Sequence, residues 1–504
     1  MLSIRTTGSA GVSSPGSSGG FEPPIRTGRC AAGPLHQPWG KQGLKPPSGP
    51  AACAAGPPSP ASGEGKTSVI LCAVRLWASL VAILLGACTI GGPQPAGKLL
   101  RIAVDLPLSG TETRAALPAL NGIRFFVQTH PTLDGFAIEL VTADDAAAGG
   151  GSASPDRGAA NVRSFLADAK VVAMIGPFDG VVARKEIPLA NAAGLAVVSP
   201  ATSNPCLTRD VYMPSLLNPA RTPITCKVAG LTPASDLRPS HANNFFRLTT
   251  TDELQGAAAA DFAVDNLHVL HAAVITDHEL YGQGLAGAFS ARLVRRGGTV
   301  VGHLDVEASN TDATEFLKRM KEAGAQAIYF GGVSAVGCAI RAQMASVFAP
   351  GEATPLLGGD GIAHDPNCIL AAGANSTGIY ATAPIVDAAS LPGAGAAIRE
   401  FKATFGRPTD FGPYTMVAYD ATAAVYAALN RAILAGGGRV PSRDAVTAEL
   451  ARTSGLDGVT GELGFDPAGD TTNRVVSVFE APGADPRAPW KFRGAVDYSL
   501  RLPY

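Results

Sequence analysis

After residue 98 the chain alternates short apolar runs with segments of helical periodicity. Residues 99–105 (LLRIAVD), 171–175 (VVAMI) and 272–276 (AAVIT) are examples of the runs, and helical patterns such as 155–167 separate them. Apolar strands joined by single helices are typical of parallel βαβ units whose sheet is covered on both faces. The pattern therefore predicts an α/β fold built from doubly wound parallel sheets.

The alternation is interrupted once and then starts again. Residues 205–244 are rich in Pro, Thr and Ser and carry two cysteines, which favours an insertion over a further domain. Strand-like runs resume at residue 245, long helical patterns follow at 393–404 and 415–435, and 458–480 predicts a hairpin-like finish. A chain of 504 residues is long enough for two or three domains. We therefore expect two α/β lobes, each of roughly 150–200 residues.

The segment before residue 98 has a different composition. Residues 1–65 contain 13 Gly and 11 Pro without apolar periodicity. Such a stretch cannot bury enough surface to offset its conformational entropy, so we expect it to be disordered. Lys66 and Arg75 then precede an uncharged run at 76–87. A basic flank before a short apolar core is typical of a secretory signal peptide, here 66–87, and the run is short for a membrane span.

The signal-like segment ends in residues 85–88 (LGAC), which resemble the lipobox of bacterial lipoproteins. The resemblance implies that Cys88 is lipidated and becomes the mature N-terminus, with 88–98 as a tether. A plain signal peptide that ends near a cysteine is the alternative. A signal peptide beginning about 65 residues into the chain also predicts an over-extended start, as against a genuine disordered cytoplasmic extension. We expect an exported lipoprotein on the outer face of the bacterial cytoplasmic membrane.

Charge and cysteine usage narrow the classes of function. With 40 basic and 41 acidic residues the net charge is −1, so the chain lacks the basic footprint of a nucleic-acid-binding protein. Cys206, Cys226, Cys338 and Cys368 form an even set that suits an oxidising compartment. We favour a disulfide between Cys206 and Cys226, which would staple the Pro-rich insertion, and leave the pairing of the other two open. The sequence has no CxxC or Cys/His ligand spacing, which argues against a zinc site.

A series of loop motifs follows the predicted strands in a fixed order. In chain order they are 107–110 (PLSG), 175–177 (IGP), 199–205 (SPATSNP), 246–247 (FR), 281–284 (YGQG), 331–332 (GG), 359–361 (GDG) and 458–466 (GVTGELGFD). Together they resemble the type I periplasmic solute-binding proteins of the branched-chain amino-acid-binding kind, over residues 99–480. The resemblance implies two lobes joined by three crossovers. Lobe 1 would comprise 99–247 plus about 383–455, and lobe 2 would comprise 248–382 plus about 456–504.

The resemblance also implies roles for particular residues. In this family the loop after the fourth strand holds the carboxylate of an amino acid, so Ala201 would contribute a backbone contact and Ser203 a hydroxyl. Gly180 would donate its own N–H beside them. Tyr281 matches a tyrosine of the cleft on lobe 2, and Asp360 matches an acidic residue that pairs with the ligand's ammonium group. Each residue also has an ordinary interpretation as part of a turn, a helix cap or the surface.

The cleft departs from the family pattern at several positions. Gly180 stands where amino-acid binders usually have a hydroxyl, Val333 replaces an aromatic residue, and Ala115 lies near where another aromatic is expected. Asp179 would repel an anion beside the carboxylate-binding position, unless it is an exposed turn residue. These departures predict a cleft poor in aromatic residues and a ligand that is not leucine-like.

Two enzyme classes leave weak traces in the sequence. Residues 282–287 (GQGLAG) match GxGxxG, and Asp305 follows eighteen residues later, but the glycines do not follow their strand directly as dinucleotide binding requires. No G-x-S-x-G or HExxH motif supports a hydrolase. An NAD-dependent oxidoreductase is therefore only a weak alternative. The stronger alternative is a ligand sensor of the same fold that signals to a membrane partner.

The sequence thus predicts a receptor that is not an enzyme, is monomeric, and has no cofactor and no metal. It would capture a small polar ligand, an amino acid or an amide-like compound, in the cleft between the lobes. It would deliver this ligand to the permease and ATPase subunits of an ABC transporter while a lipid anchor holds it at the membrane. Nucleic acid is not among the expected partners.

Overall fold

The computed structural model describes residues 98–149, 151–307, 309–348 and 354–504. The expected N-terminal extension (1–65), the signal peptide (66–87), Cys88 and the tether up to residue 97 lie outside these residues. In the part of the chain that the structure describes, no helix combines the length and the apolar character needed to cross a membrane.

The described strands and helices alternate as the sequence predicts. The strands are β1 Lys98–Leu106, β2 Thr132–Leu133, β3 Phe136–Asp144, β4 Val171–Ile175, β5 Ala196–Ser199, β6 Val211–Met213, β7 Ile224–Thr225, β8 Phe245–Arg247, β9 His271–Thr276, β10 Thr299–Asp305, β11 Ala327–Gly331, β12 Leu356–Gly358, β13 Ile379–Ala383, β14 Leu456–Gly458, β15 Gly461–Leu463, β16 Val475–Glu480 and β17 Lys491–Asp497. The α-helices are α1 Thr113–Thr129, α2 Pro155–Ala167, α3 Gly180–Ala192, α4 Asp252–Leu267, α5 Leu280–Arg295, α6 Thr314–Glu322, α7 Ser334–Val347, α8 Pro366–Ala372, α9 Gly395–Thr404, α10 Thr415–Ala435 and α11 Arg443–Ala451. The sequence pattern did not predict α8, β17 or the short strands β2, β6 and β7.

The first sheet has the strand order β2-β3-β1-β4-β5-β8. Its strands are parallel except β2, which pairs antiparallel with β3. Because successive side chains point to opposite faces, Ile102 of β1 packs against α1 and α10 while Ala103 packs against α2 and α3. Strand β4 is buried at every position. Burial on both faces explains why these strands are continuously apolar in the sequence.

The second sheet has the order β10-β9-β11-β12-β13-β16-β17. Strands β9 to β13 are parallel, and the last two pair antiparallel at one edge. Helices α4 and α5 cover the face that carries Val274 and Tyr329, and α6, α7 and α8 cover the face that carries Ile275 and Phe330. Two doubly wound parallel sheets confirm the predicted fold class. We call the first sheet with its helices lobe 1 and the second lobe 2.

The chain crosses between the lobes three times. It leaves lobe 1 after Arg247, returns after Ala383 to supply α9, α10 and α11, and enters lobe 2 again at Val475. The β14–β15 hairpin, which we expected in lobe 2, instead packs against α10: the Asp420 carboxylate accepts hydrogen bonds from the amides of Val459 (3.0 Å) and Thr460 (2.7 Å). Both lobes therefore contain distant parts of the chain.

The 205–244 insertion is cross-linked by a disulfide and lies against both lobes. A disulfide joins Cys206 to Cys226. On the lobe 1 side, the Asn191 side chain of α3 donates to the carbonyl of Ala242 at 2.8 Å. On the lobe 2 side, Met213 packs in one apolar cluster with residues of α4 and α5. A second disulfide, between the two cysteines whose pairing the sequence left open, joins α7 to α8.

Candidate ligand-binding site

Asp360 occupies the carboxyl end of β12, at the edge of the second sheet where ligands of parallel α/β folds bind. Its Oδ1 accepts hydrogen bonds from the Tyr281 hydroxyl (2.6 Å) and the Gln255 side-chain amide (2.8 Å), both in lobe 2. Its Oδ2 accepts a hydrogen bond from the Tyr414 hydroxyl at 2.5 Å. Tyr414 immediately precedes α10 in lobe 1, so this carboxylate connects the two lobes.

The two tyrosines are set up as hydrogen-bond donors. Burial and the negative charge of Asp360 raise the pKa of both Tyr281 and Tyr414 well above the ordinary value. A protonated Tyr281 donates to Asp360 while its oxygen accepts the amide N–H of Gly361 at 3.0 Å. The same tyrosine thus fixes both the carboxylate and the backbone that carries it.

Glycine is required on both sides of Asp360 because the loop packs closely. A Cβ on Gly361 would overlap the carbonyl oxygen of Gly332, and one on Gly359 would overlap the Leu285 side chain. The absence of a side chain at these two glycines therefore allows the backbone on either side of Asp360 to approach its neighbours in lobe 2 closely.

The lobe 1 loops bring Gly180, Ala201 and Ser203 to the carboxyl edge of the first sheet. Gly180 is the first residue of α3, and a Cβ placed on it would lie 3.5 Å from the Cβ of Asn204. The amide of Ala201 donates to the Ser199 hydroxyl (3.2 Å), which also accepts the amide of Thr202 (2.9 Å). These two amides therefore have acceptors within the protein.

Ser203 is tied to lobe 2 through Asp252. The backbone N–H of Asp252, the first residue of α4, donates to the carbonyl of Ser203 at 2.9 Å. Burial and the charge of Asp360 raise the pKa of the Asp252 carboxyl to about 7, although its interaction with the Ser203 hydroxyl acts to lower it. Asp252 is 3% exposed. The backbone bond between Ser203 and Asp252 thus connects the lobe 1 loop to the start of α4 in lobe 2.

Asp179 lies in the cleft and is not a solvated turn residue. It precedes α3 without capping it, and its Oδ2 is buried with no hydrogen-bond partner among the described residues. Burial raises the pKa of Asp179 well above the usual range, and so do Glu112, which shares a hydrogen bond with it, and the charges of Asp145 and Asp360. An unpaired buried carboxylate is costly, which sets this residue apart from an ordinary cap.

The positions singled out for their missing aromatic residues lie at two helix starts. Val333 is 49% exposed and its amide donates to Oδ2 of Asp277 at 3.1 Å, while Ala115 is half-buried near the start of α1. However, Phe178 packs edge-on against Tyr414 with ring centroids 5.0 Å apart. This part of the cleft therefore contains an aromatic pair, and the shortage of aromatic residues relative to the family stays a prediction.

A second group of carboxyls lies under the lobe 1 side of the cleft. Asp105, Asp145 and Glu186 are fully buried and present oxygens that lie within 4.8 Å of one another. Burial is the main cause that raises the pKa of Asp105 to about 6, that of Asp145 to about 8 and that of Glu186 well above its ordinary value. The Asn161 side chain donates to Asp105 at 2.8 Å. Upward shifts of this kind favour neutral carboxyls near neutral pH.

The GxGxxG match has a structural explanation. Gly282, Gly284 and Gly287 lie inside α5, which begins at Leu280, and not in the turn between β9 and the helix. A Cβ on Gly282 would overlap the carbonyl of Gly331. A Cβ on Gly284 or Gly287 would meet Tyr212 or Met213 of the insertion. The glycines therefore serve close packing within lobe 2 and against the insertion, and the arrangement differs from the phosphate cradle of a dinucleotide-binding fold.

Sequence reasoning missed Tyr414, Gln255 and Asp252, although each had a weak signal. Tyr414 directly precedes the strongest helical pattern of the chain, and Asp252 and Gln255 lie in the first turn of α4. Helix N-termini that follow a crossover face the cleft in this fold. What the sequence could not show is that residues from two lobes meet on one carboxylate.

A family model and the curated relatives of this chain all describe binding proteins. The family model described as "Periplasmic binding protein" matches residues 100–485. The Leu/Ile/Val-binding protein homolog 3 of Brucella melitensis is 30% identical over 245 residues, which make up 49% of this chain and 63% of that protein. An amino acid binding protein of Pseudomonas aeruginosa is 25% identical over 349 residues, or 69% of this chain and 80% of that protein.

Solved structures show the same fold. The leucine binding protein LivK of Thermotoga maritima superposes with a TM-score of 0.61 at 23% identity, covering 79% of this chain and 99% of that one. LivJ of Streptococcus pneumoniae, a branched-chain amino acid transporter substrate binding protein solved with isoleucine, gives 0.60 at 20% identity over the same shares. The matched family is one of binding proteins and not of enzymes.

Proposed function

Since the chain belongs to the periplasmic binding protein family, we propose that it is a receptor that captures a small polar ligand between its lobes for an ABC transporter. The ligand is an amino acid or an amide-like compound. Gly180, Ala201 and Ser203 face it from lobe 1, and Tyr281 and Asp360 from lobe 2. The family match, together with relatives that bind amino acids, supports the class of function.

The observation that carries this proposal is the position of Asp360. Its carboxylate accepts hydrogen bonds from residues of both lobes. A ligand cation that binds this carboxylate is therefore held at the junction of lobe 1 and lobe 2. A ligand that contacts both lobes stabilises the closed arrangement over the open one. The acid is the natural partner for an ammonium group, since charge-assisted hydrogen bonds are the stronger kind.

The proposal is tested by a thermal-shift screen of the purified protein against amino acids, amides, urea, short peptides, sugars and aromatic acids. A ligand at 100 times its Kd adds about 2.7 kcal/mol of apparent stability. We expect Asp360→Asn to reduce affinity for any hit by about 2–4 kcal/mol, while a cooperative melting transition in the absence of ligand shows that the variant still folds. Silence across the panel, confirmed by calorimetry, contradicts the receptor function.

Lipid anchoring and delivery form the remaining part of the proposal. A thioether-linked lipid at Cys88 would hold the receptor at the outer face of the cytoplasmic membrane, and the closed form would dock on a permease. Metabolic labelling with an alkyne fatty acid tests the first point: Cys88→Ala should abolish labelling and release the protein in soluble form. Loss of ligand uptake in cells that lack this protein tests the second, and intact uptake contradicts it.

A further inference from the structure

Arg184 carries a positive charge for which the protein supplies no partner. It lies on α3 one helical turn after Gly180, and residues four apart on a helix share a face. The side chain is half-buried, and its Nε is buried without a hydrogen-bond partner. Within the part of the chain that the structure describes, its guanidinium forms neither a hydrogen bond nor an ion pair. Burying a charge without a partner is costly, so an arrangement of this kind favours a group that arrives from outside.

Groups from the insertion and from lobe 2 surround Arg184. Burial lowers the pKa of Arg184, while Tyr212 of the insertion and Asp252 at the start of α4 act to raise it. The Tyr212 hydroxyl donates to the carbonyl of Leu280, the first residue of α5, at 3.2 Å. The Asp252 amide donates to the carbonyl of Ser203 at 2.9 Å. Arg184 therefore lies where lobe 1, the insertion and lobe 2 meet, next to the loop that carries Ser203.

The two neighbours of Arg184 do not neutralise it. Burial raises the pKa of Asp252 to about 7, so this carboxyl is only partly ionised at neutral pH. Burial also raises the pKa of Tyr212, whose hydroxyl stays protonated. A guanidinium, in contrast, remains charged in proteins. Arg184 thus keeps its positive charge without a full counter-charge beside it.

Further unpaired donors lie on the lobe 1 side of the cleft. The Gly180 amide, at the first position of α3, has no acceptor among the described residues. The Thr202 hydroxyl, on a residue that is 2% exposed, has no partner there either. Burial and Glu112 raise the pKa of Asp179 well above its usual range, which favours a neutral acid that can donate. An anion needs donors of this kind, and a charged donor makes the strongest bond to it.

From these observations we propose that Arg184 is an anion-binding residue of the cleft and that the ligand carries a carboxylate that pairs with its guanidinium. Asp360 binds the ammonium group of the same molecule, so the ligand has opposite charges facing the two lobes. The carboxylate is the α-carboxylate or one at the end of the side chain, since a guanidinium binds both in the same bidentate way. The inference rests on the proposed receptor function and names the ligand class of that same cleft.

Pairs of molecules that differ only by a carboxylate and its amide supply a matched test. Alanine and alaninamide, and leucine and leucinamide, differ at the α-carboxylate. Glutamate and glutamine, and aspartate and asparagine, differ at the end of the side chain. Calorimetry on the purified protein at neutral pH should give at least a tenfold lower Kd for the carboxylate member in one of these two kinds of pair. That kind identifies which carboxylate binds, and the ratio within a pair cancels the preference for the rest of the molecule.

Arg184→Met removes the charge and keeps an unbranched apolar side chain. The preference for the carboxylate should fall at least tenfold in this variant. Lys185→Met is the matched control, because Lys185 is the next residue of the same helix, is exposed, and loses the same charge; its ratio should stay at the wild-type value. Without ligand, Arg184→Met should melt no lower than Lys185→Met, since the guanidinium that it removes bonds to no group of the protein.

The outcomes separate this inference from the function on which it rests. If wild-type protein binds the amide as tightly as the carboxylate in both kinds of pair, or if only uncharged compounds of the wider panel bind, the ligand class is wrong while the receptor function stands. A carboxylate preference that survives in Arg184→Met, or falls equally in Lys185→Met, overturns the role of Arg184. Arg184→Gln gives the same comparison if Arg184→Met does not fold. Silence of all pairs and of the wider panel contradicts the receptor function itself.

Discussion

The Tyr414 hydroxyl donates to Oδ2 of Asp360 at 2.5 Å, joining the residue before α10 in lobe 1 to the loop after β12 in lobe 2. The bond is partly buried, and its acceptor carboxylate also accepts hydrogen bonds from two lobe 2 side chains. A hydrogen bond to a charged group is worth about 1.5–3 kcal/mol. One side-chain contact therefore contributes measurably to holding the lobes together.

Tyr414→Phe removes this bond without removing the ring. We expect the equilibrium between closed and open forms to shift toward the open form by about 1.5–3 kcal/mol, which small-angle X-ray scattering would detect as a larger radius of gyration. Tyr426→Phe is the control, because Tyr426 lies on the same helix and its hydroxyl donates to the His130 carbonyl within lobe 1. Equal scattering curves for wild type and Tyr414→Phe would show that the bond does not hold the lobes.

A second prediction concerns the ion pair at the third crossover. Arg247 is fully buried and its Nε donates to Asp470 at 2.7 Å, while Arg209 holds the other oxygen at 2.8 Å. Asp470→Asn should lower the free energy of unfolding by about 3–5 kcal/mol, because it leaves buried guanidinium charge without its partner. Urea denaturation measures this.

The control for that substitution is an ion pair at the surface. Glu139 is 54% exposed where it pairs with Arg101, so Glu139→Gln should cost less than about 1 kcal/mol. Similar losses for Asp470→Asn and Glu139→Gln would refute the claim that burial makes the first pair important.

The disulfide of the insertion gives a third prediction. Cys206 and Cys226 are 20 residues apart, and closing a loop of this length restricts the unfolded chain by roughly 3 kcal/mol. The Cys206→Ala/Cys226→Ala double variant should lose about that much stability in urea. The matching Cys338→Ala/Cys368→Ala variant, with a separation of 30, should lose a few tenths of a kcal/mol more. If reducing agent leaves the wild-type unfolding curve unchanged, the prediction is wrong.

Stability should fall between pH 5 and pH 8. Burial raises the pKa of Asp145 to about 8, that of Asp252 to about 7 and that of Asp420 to about 6, while unfolded aspartate titrates near ~3.9. Between the unfolded pKa and the folded pKa, each of these carboxyl groups is ionised in the unfolded chain but stays protonated in the folded chain. The resulting stability is complete below the unfolded pKa and is lost as pH rises through each folded pKa.

The pH dependence is measured as melting temperature at pH 5, 6, 7 and 8. Asp145→Asn should flatten the decline between pH 6 and 8, because both oxygens of Asp145 lack partners and the amide removes only the titration. Asp168, whose pKa is lowered by its bond to Arg101, titrates below this window, so Asp168→Asn should keep the wild-type slope. A melting temperature that rises from pH 5 to 8 would contradict the sign of the effect.

Much of the fold followed from the sequence because its strands are buried on both faces. Val171–Ile175 is buried at every position and lies where the sequence predicts it, and helix Thr415–Ala435 matches its pattern. Strand Lys491–Asp497 was missed because it lies at a sheet edge and alternates exposed with partly buried residues, so it has no continuous apolar run.

The site was only partly predictable from the sequence. Asp360 and Tyr281 were expected in the cleft from the family resemblance of the motifs that carry them, and the Tyr281 hydroxyl donates to Asp360 in the structure. Tyr414 was not recognisable, since its contact depends on how the third segment of lobe 1 approaches lobe 2. The burial of Asp179 was also hidden, because a residue before a helix is more often a solvated cap.

The discontinuity of both lobes has a consequence for how the chain reaches its native state. Helices α10 and α11 complete lobe 1, and β16 and β17 complete the sheet of lobe 2, so neither lobe can be finished until residues beyond 440 have been synthesised. Contacts between such distant segments slow folding, since long loops must close first. A nascent chain of this design stays incompletely folded for most of its synthesis, and no cut in the sequence yields either lobe as a single contiguous fragment.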